Sequence, residues 1–337
     1  MQRRNHSNSE SGQRQRSRGH LPNSEIAPVT GLVAPLGPAP IRFDKPIAAP
    51  NRRPNEPNTS PWGCESDGDA GRWFARGSPL LDDPIVFDDP IALSILGPET
   101  EARLRDDPFK LNDSLSRGLR AAVVVRSRFA EDQLAKATER GVLQYVILGA
   151  GLDTFAYRNP FKAKGLRVFE VDRPATQIWK RQLLSNAGIA IPPELSFVGM
   201  NFEAAPLGDI LQQAGFHMEQ PAFFSWLGVT MYLTEAAIFE TLKFVTSLPK
   251  GSSITFDFRV FSSSPIARAI DEVLAQRAAE VGEPWISAFD PSVLRSRILE
   301  IGFGAAEVYG SDQLNERYLH RRKDGLRTDG QIMFAQV

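Results

Sequence analysis

The run Gln144-Tyr145-Val146-Ile147-Leu148-Gly149-Ala150-Gly151 constrains this chain more than any other part of its sequence. A short, nearly continuous apolar run suits a strand buried on both faces, and glycines at its end let the backbone turn sharply without a Cβ in the way. A second run, Arg167-Val168-Phe169-Glu170-Val171-Asp172, ends on an acid 21 residues past the second glycine. Open α/β sheets bind ligands outside the carboxyl ends of their strands. An acid at that point, about 20 residues beyond the glycines, can accept hydrogen bonds from both hydroxyls of an adenosine ribose. Such contacts are charge-assisted and directional. The glycine pair alone is equally well read as a tight turn. Strand, glycines, second strand and acid together point to adenosine.

The patterning around this unit extends it into an alternating β/α chain. Leu119, Ala122, Val123, Arg126, Phe129, Ala130, Leu134 and Ala137 keep helical spacing, and Gly141 is placed to stop that helix. Pro174 suits the first turn of a helix after the second strand. Leu195–Asn201, Ala222–Leu227 and Ser252–Phe258 read as the third, fourth and fifth strands. Thr234 is a natural N-cap for a helix with Ile238, Leu242 and Val245 on one face. Two more helices are expected, from Pro265 to Val281 before Gly282, and from Asp290-Pro291 to Gly302. Gln331–Val337 reads as a terminal strand. No internal repeat is visible. The expected fold is a mostly parallel α/β sheet with helices on both faces.

Length alone, 337 residues, would allow two domains. Residues 1–61, however, hold ten of the 25 prolines, one of the 21 phenylalanines (Phe43), and nine Lys/Arg against four Asp/Glu. Such a stretch cannot bury enough apolar surface to offset the entropy of ordering it. We therefore expect a disordered basic leader over residues 1–77 and one domain of about 260 residues over 78–337. The leader's arginines (3, 4, 14, 16 and 18) have the charge for nucleic acid, but no aromatic residues interleave to stack on bases. A nucleic-acid partner is not expected. The single cysteine, Cys64, excludes an intrachain disulfide, and four histidines make a histidine metal cluster a poor reading. Apolar runs such as Ala121–Val125 are far below a membrane span. A cytoplasmic protein with no membrane partner and a small-molecule substrate is the expectation.

The residues after the glycines bear on which adenosine cofactor is bound. A dinucleotide site calls for a third small residue where this chain has Thr154, and Asp153 precedes it. An acid there repels a pyrophosphate but tolerates a ligand carrying an ammonium and a sulfonium. Asp153 therefore favours S-adenosylmethionine over NAD, although a first-turn acid attracted by a helix dipole is the plainer alternative. No Gly-Lys-Ser/Thr follows, so a P-loop is excluded.

Val146–Thr154, Ala156-Tyr157-Arg158 and Phe169–Pro174 resemble the leucine carboxyl methyltransferase-related family, a group of class I S-adenosylmethionine-dependent methyltransferases with many bacterial members. Asp88–Ala92, Ser225–Thr234 and Gly282–Trp285 fit its bacterial branch, and the resemblance spans roughly residues 79–337. It implies a Rossmann-like sheet with an antiparallel C-terminal strand and a helical substrate cap. It also implies a cofactor site built from Gly149-Ala150-Gly151, with Asp153 beside it. Arg126 would pair with the methionine carboxylate of the cofactor, and Asp172, followed by Arg173, would hold the ribose. The family commonly has an Asp and an apolar residue near the adenine, where this chain has Asn201-Phe202. Its protein-carboxyl methyltransferases carry a Glu where Leu227 aligns. Leu227 thus removes a contact to the methionine ammonium, or leaves it to a backbone carbonyl, and weakens any transfer of the leucine-carboxyl substrate.

The reaction implied is in-line transfer of a methyl group, most naturally to oxygen. A carboxylate nucleophile needs no base, whereas a hydroxyl benefits from one. Tyr232, Asp257 and His217 are the candidate bases, and none is favoured by the sequence. Residues 259–290 and the segment before residue 120 are expected to cover the acceptor, with Trp285 and Phe289 as candidate lining. Two rival readings are a cofactor-binding module without turnover and an NAD-dependent oxidoreductase.

Overall fold

The computed structural model describes residues 84–107, 114–203, 206–261, 264–280 and 284–337. The leader, the boundary near residue 78, Cys64 and Gly282 lie outside the described residues. Seven strands form one sheet: β1 (Gln144–Leu148), β2 (Arg167–Asp172), β3 (Leu195–Gly199), β4 (Phe223–Trp226), β5 (Ser253–Asp257), β6 (Ala305–Tyr309) and β7 (Ile332–Gln336). Their order is β3-β2-β1-β4-β5-β7-β6. Strands β1 to β5 pair in parallel, and β7 runs antiparallel to both β5 and β6. The chain moves outward from β1 to β3 and then crosses back to β4. The switch point where ligands bind therefore lies at the carboxyl ends of β1, β2 and β4.

The described helices are α1 (Ile91–Ser94), α2 (Pro98–Asp106), α3 (Ser114–Glu139), α4 (Pro174–Asn186), α5 (Leu207–Gln213), α6 (Glu235–Thr246), α7 (Pro265–Glu280), α8 (Pro291–Glu300) and α9 (Ser311–Tyr318). Alternation along the strands splits the core into two layers. Val146, Leu148, Phe224, Trp226, Ile254 and Phe256 pack on Leu211 of α5, Ile238 and Leu242 of α6 and Leu294 of α8. Tyr145, Ile147, Val168 and Phe223 point the other way, onto Leu134 and Ala137 of α3. Pro174 does open α4, and the Thr234 hydroxyl caps α6 by accepting the Ala237 N–H.

The structure contains elements that the sequence reading does not name: the helices α1, α2, α5 and α9 and the strand β6. No α-helix lies between β1 and β2, only the three-residue 3-10 turns Phe155–Tyr157 and Lys162–Lys164. Polar side chains take over the backbone donors there, with Asp153 accepting the Phe155 N–H at 2.8 Å and Asn159 the Phe161 N–H at 2.9 Å. Both bonds close local turns that compete with a helix. Helix α3, which precedes β1, covers that face instead. The elements β6 and α9 carry no pattern to find. Ala305 and Glu307 of β6 are exposed and Leu314 is the one buried residue of α9, so neither shows a clear apolar period.

A buried polar network fastens the first described segment to this frame. Asp89 is fully buried and accepts the N–H groups of Ile91 and Ala92 at 3.0 and 3.1 Å, capping α1. Its other oxygen accepts the Thr154 hydroxyl and faces Arg158 at 3.4 Å. Arg158 also grips Glu131 of α3 through two bonds, at 3.0 and 2.5 Å, and lies over the Phe87 ring. One guanidinium thus joins the segment before α1, helix α3 and the turn after β1. Removing one partner of a buried pair leaves the others uncompensated, at a cost of about 3 kcal/mol. The variant Arg158→Met is therefore expected to lower the unfolding free energy by about 3 kcal/mol in a urea titration, and to speed protease cleavage ahead of residue 98.

Candidate functional site

The turn after β1 is closed against β2: the N–H groups of Gly149 and Ala150 both donate to the Val171 carbonyl, at 2.8 and 3.1 Å. Gly149 has φ +65°, and a Cβ there would collide with Val229, which follows β4. A side chain at 149 is thus barred both by its backbone conformation and by the close approach of the β4 loop. Ala150 is buried beside it. The Gly151 N–H donates to Asp172 Oδ2 at 2.6 Å, and the Arg173 N–H donates to Asp172 Oδ1 at 2.6 Å. The acid expected to hold a ribose is therefore fixed at the carboxyl end of β2 by main-chain donors. A carboxylate has about four lone-pair sites, so each oxygen can accept one hydroxyl more. Burial pushes the Asp172 carboxyl up, and the two N–H groups pull it back down. The Arg173 side chain is exposed, and its contribution is the main-chain N–H at the start of α4.

Beneath this turn lies an ion pair that the sequence reading does not include. Lys180 of α4 and Glu170 of β2 are each 1% exposed and meet at 2.7 Å. The Lys180 ammonium also donates to the Asp153 carbonyl at 2.6 Å. It thereby ties α4, β2 and the turn after β1 at one atom. Burial pushes the Glu170 carboxyl up to about 7, against the pull of Lys180. The signal is present in the sequence, since an acid between Phe169 and Val171 in a buried strand requires a cation. Asp153 turns out to serve the turn, through its bond to Phe155 and its carbonyl to Lys180. Its carboxyl is raised by burial. With no α-helix after the glycines, this turn offers no helix terminus for a pyrophosphate.

Across the switch point, Arg126 of α3 reaches the end of β5 and donates from Nη1 to Asp257 Oδ2 at 2.8 Å. The other Asp257 oxygen accepts the Gly228 N–H at 2.6 Å, and the Asp257 carbonyl accepts the Thr230 hydroxyl at 2.7 Å. Gly228 has φ +72°, and a Cβ there would lie 2.6 Å from Arg126 Nη2. Leu227, just before it, is partly buried and carries no charge. Asn201 is exposed after β3, where its side-chain oxygen accepts the Glu203 N–H at 3.1 Å. Phe202 packs on Trp226 with ring centroids 5.6 Å apart. Glu203, unremarked in the sequence, accepts the Thr234 N–H at 3.1 Å and anchors this loop to the start of α6.

The structure separates the three candidate bases. Asp257 is committed to Arg126 and Gly228. His217 lies at the wrong end of the sheet, where its N–H donates to Gln144, the first residue of β1, at 2.8 Å. Tyr232 sits, half-buried, in the 3-10 turn Thr230–Tyr232 of the β4–α6 loop. That loop is covered by residues 286–287: the N–H groups of Ile286 and Ser287 donate to the Met231 carbonyl at 2.7 and 3.2 Å. Trp285 is partly exposed beneath the Arg259 guanidinium, whereas Phe289 is buried against Phe239 as core. Among the described residues no group of three or more His, Cys, Asp or Glu side chains could hold a metal ion. No described helix is long and apolar enough to cross a membrane.

Comparison with known proteins gives the family of the chain. The leucine carboxyl methyltransferase family model matches residues 74–246. YktD of Bacillus subtilis, provisionally named an S-adenosyl-L-methionine-dependent methyltransferase, is 33% identical over 280 residues, 75% of this chain and 91% of its own. Rv3399 of Mycobacterium tuberculosis, named in the same way, is 29% identical over 215 residues, 62% of this chain and 59% of its own. A crystal structure of a DUF574 family protein from Streptomyces avermitilis aligns with a TM-score of 0.48 and 17% identity, covering 80% of this chain and 96% of its own.

The brace under the turn makes a prediction of opposite signs. Lys180→Met leaves Glu170 buried without its partner and should cost about 3 kcal/mol in chemical unfolding. The double variant Lys180→Met/Glu170→Leu, which removes both charges, should recover most of that loss.

Proposed function

The chain belongs to the leucine carboxyl methyltransferase family and is an S-adenosyl-L-methionine-dependent methyltransferase, and from that premise we propose that it methylates an oxygen, carboxylate or hydroxyl, of a small or medium-sized acceptor. The observation that carries the cofactor's placement is Asp172, held by the Gly151 and Arg173 N–H groups with acceptor capacity left for a ribose diol. The residues present fit such a cofactor. Gly151 presents bare main chain with open space beside it, Asp172 is an anchored acceptor, and Arg126 is a cation with donors beyond the one given to Asp257. In this reading Gly149, Ala150 and Gly151 form the floor. Asp172 accepts the ribose hydroxyls, Asn201 and Phe202 flank the adenine, and Arg126 takes the carboxylate. Leu227 adds only apolar contact, and Asp153 and Arg173 shape the turn through their bonds to the main chain.

The cofactor, when bound, supplies the activated methyl group. What the chain contributes is alignment and the exclusion of water. A nucleophile held about 3 Å from the methyl carbon gains most of its rate from proximity. The β4–α6 loop and the segment 286–287 docked on it form the cover on the acceptor side. With Asp257 committed and His217 at the far end of the sheet, an acceptor that needs no base suits the site best, which favours a carboxylate. Of the three candidate bases, Tyr232 is the one that lies on the β4–α6 loop. Leucine carboxylate is not proposed as the acceptor, because Leu227 departs from the acid of the protein-carboxyl enzymes. A cytoplasmic setting and a small-molecule partner complete the proposal, supported by a single cysteine and by the aromatic-poor leader.

Calorimetry tests the cofactor site. S-adenosylhomocysteine should bind with a dissociation constant in the micromolar range, about −8 kcal/mol, and NAD should not bind. Asp172→Ala removes two hydrogen bonds to a charged group and should weaken binding at least about tenfold. Incubation with methyl-labelled cofactor and a panel of small acids and phenols tests the acceptor class. Base-labile label marks a carboxylate ester and base-stable label an ether. Label appearing on nitrogen or carbon instead would overturn the oxygen assignment.

A further inference from the structure

We infer that Asp257 is a ligand-binding residue that accepts the α-ammonium of the amino-acid end of the cofactor, beside Arg126, which takes the carboxylate of the same group. The assignment rests on the cofactor reading above. Its basis is a juxtaposition at the carboxyl ends of β4 and β5. One cation and one anion lie 2.8 Å apart with side chains 20% and 14% exposed, so both are held and both can be reached. Each is pinned from a second direction. Asp257 Oδ1 accepts the Gly228 N–H, and the Arg126 guanidinium lies so close to Gly228 that no Cβ fits between them. A further bond, from the Thr230 hydroxyl to the Asp257 carbonyl, fixes the end of β5 itself.

Two opposite charges fixed side by side are the complement of a zwitterion, with a carboxylate on the guanidinium and an ammonium on the acid. Their capacities allow it. Arg126 has five N–H donors and gives one to Asp257, and each Asp257 oxygen accepts one bond and can accept another. Gly228, which lies against both side chains, directly precedes Val229, whose side chain abuts Gly149. Leu227, the residue that follows β4 on this side, has no charge to offer the ammonium, so Asp257 is the acid within reach of Arg126's ligand. This also explains why a carboxylate placed like a general base is not free to act as one.

The test compares three ligands by calorimetry on the full-length protein. They are S-adenosylhomocysteine, its desamino analogue with a butyrate in place of the aminobutyrate, and 5′-methylthioadenosine, which lacks the amino-acid end. The unaltered protein should bind S-adenosylhomocysteine at least tenfold more tightly than the desamino analogue. Asp257→Asn should remove that preference, weakening S-adenosylhomocysteine tenfold or more and the desamino analogue by less than threefold. Unchanged binding of 5′-methylthioadenosine shows that the variant is folded, and Asp257→Ser serves if the Asp257→Asn protein cannot be made. Equal weakening of the first two ligands would overturn the proposal, because Asp257 would then act only by orienting Arg126. An unchanged preference would overturn it too, leaving the ammonium to a backbone carbonyl. If none of the three ligands binds the unaltered protein, the cofactor reading itself fails, a result distinct from either.

Discussion

A single buried ammonium holds the binding end of this sheet together. Lys180 reaches inward from α4 to the Glu170 carboxylate on β2 and to the Asp153 carbonyl in the turn after β1. An unpaired charge at that depth would be very costly, so the two strands and the helix are committed to one relative placement. The consequences pass directly to the surface. Asp153 is held where its side chain closes the 3-10 turn, the Gly151 N–H is aimed at Asp172, and Asp172 is presented at the end of β2. The proposed ribose contact depends on a pair of residues that do not touch the ligand.

The same device recurs on the other side of the turn. Arg158 joins Asp89, Glu131 and, through Asp89, the Thr154 hydroxyl, and so fastens the segment before α1 onto the region just past the glycines. Three stretches that look like separate signature motifs in the sequence, around Asp89, Thr154 and Arg158, are parts of one polar cluster. Its geometry explains the residue types at those positions better than any contact with a ligand does. Thr154 in particular stands where a dinucleotide fold would put a small residue, because its hydroxyl is needed by Asp89.

Much of the fold is legible because burial leaves a period in the sequence. Strands β1 to β5, the long α3 and the starts of α4, α6 and α8 follow from apolar runs, Pro174, Thr234 and Asp290-Pro291. Elements with little buried surface leave no such trace. Half-exposed β6 and α9 are not readable, and in the β1–β2 connection polar side chains close turns in place of a helix. Within the site, Gly149, Gly151 and Asp172 are legible because their spacing along one β-turn-β unit is itself the geometry. Arg126, Asp257 and Gly228 lie 131 residues apart at the extremes, and no local pattern records that they meet.

The sequence by itself determined the strand–glycine–strand–acid unit, and with it the class of fold and the adenosine end of the site. Those features depend on neighbours within about two dozen residues, where backbone conformation and hydrophobic period act locally. Only the tertiary structure decided which charges face one another. It paired Glu170 with Lys180, gave Asp257 to Arg126 and Gly228, and sent His217 to the opposite end of the sheet. An ionisable side chain's role is set by its burial and by the charge a few ångströms away. Both are settled when distant parts of the chain pack, and neither is written in the residue's own surroundings.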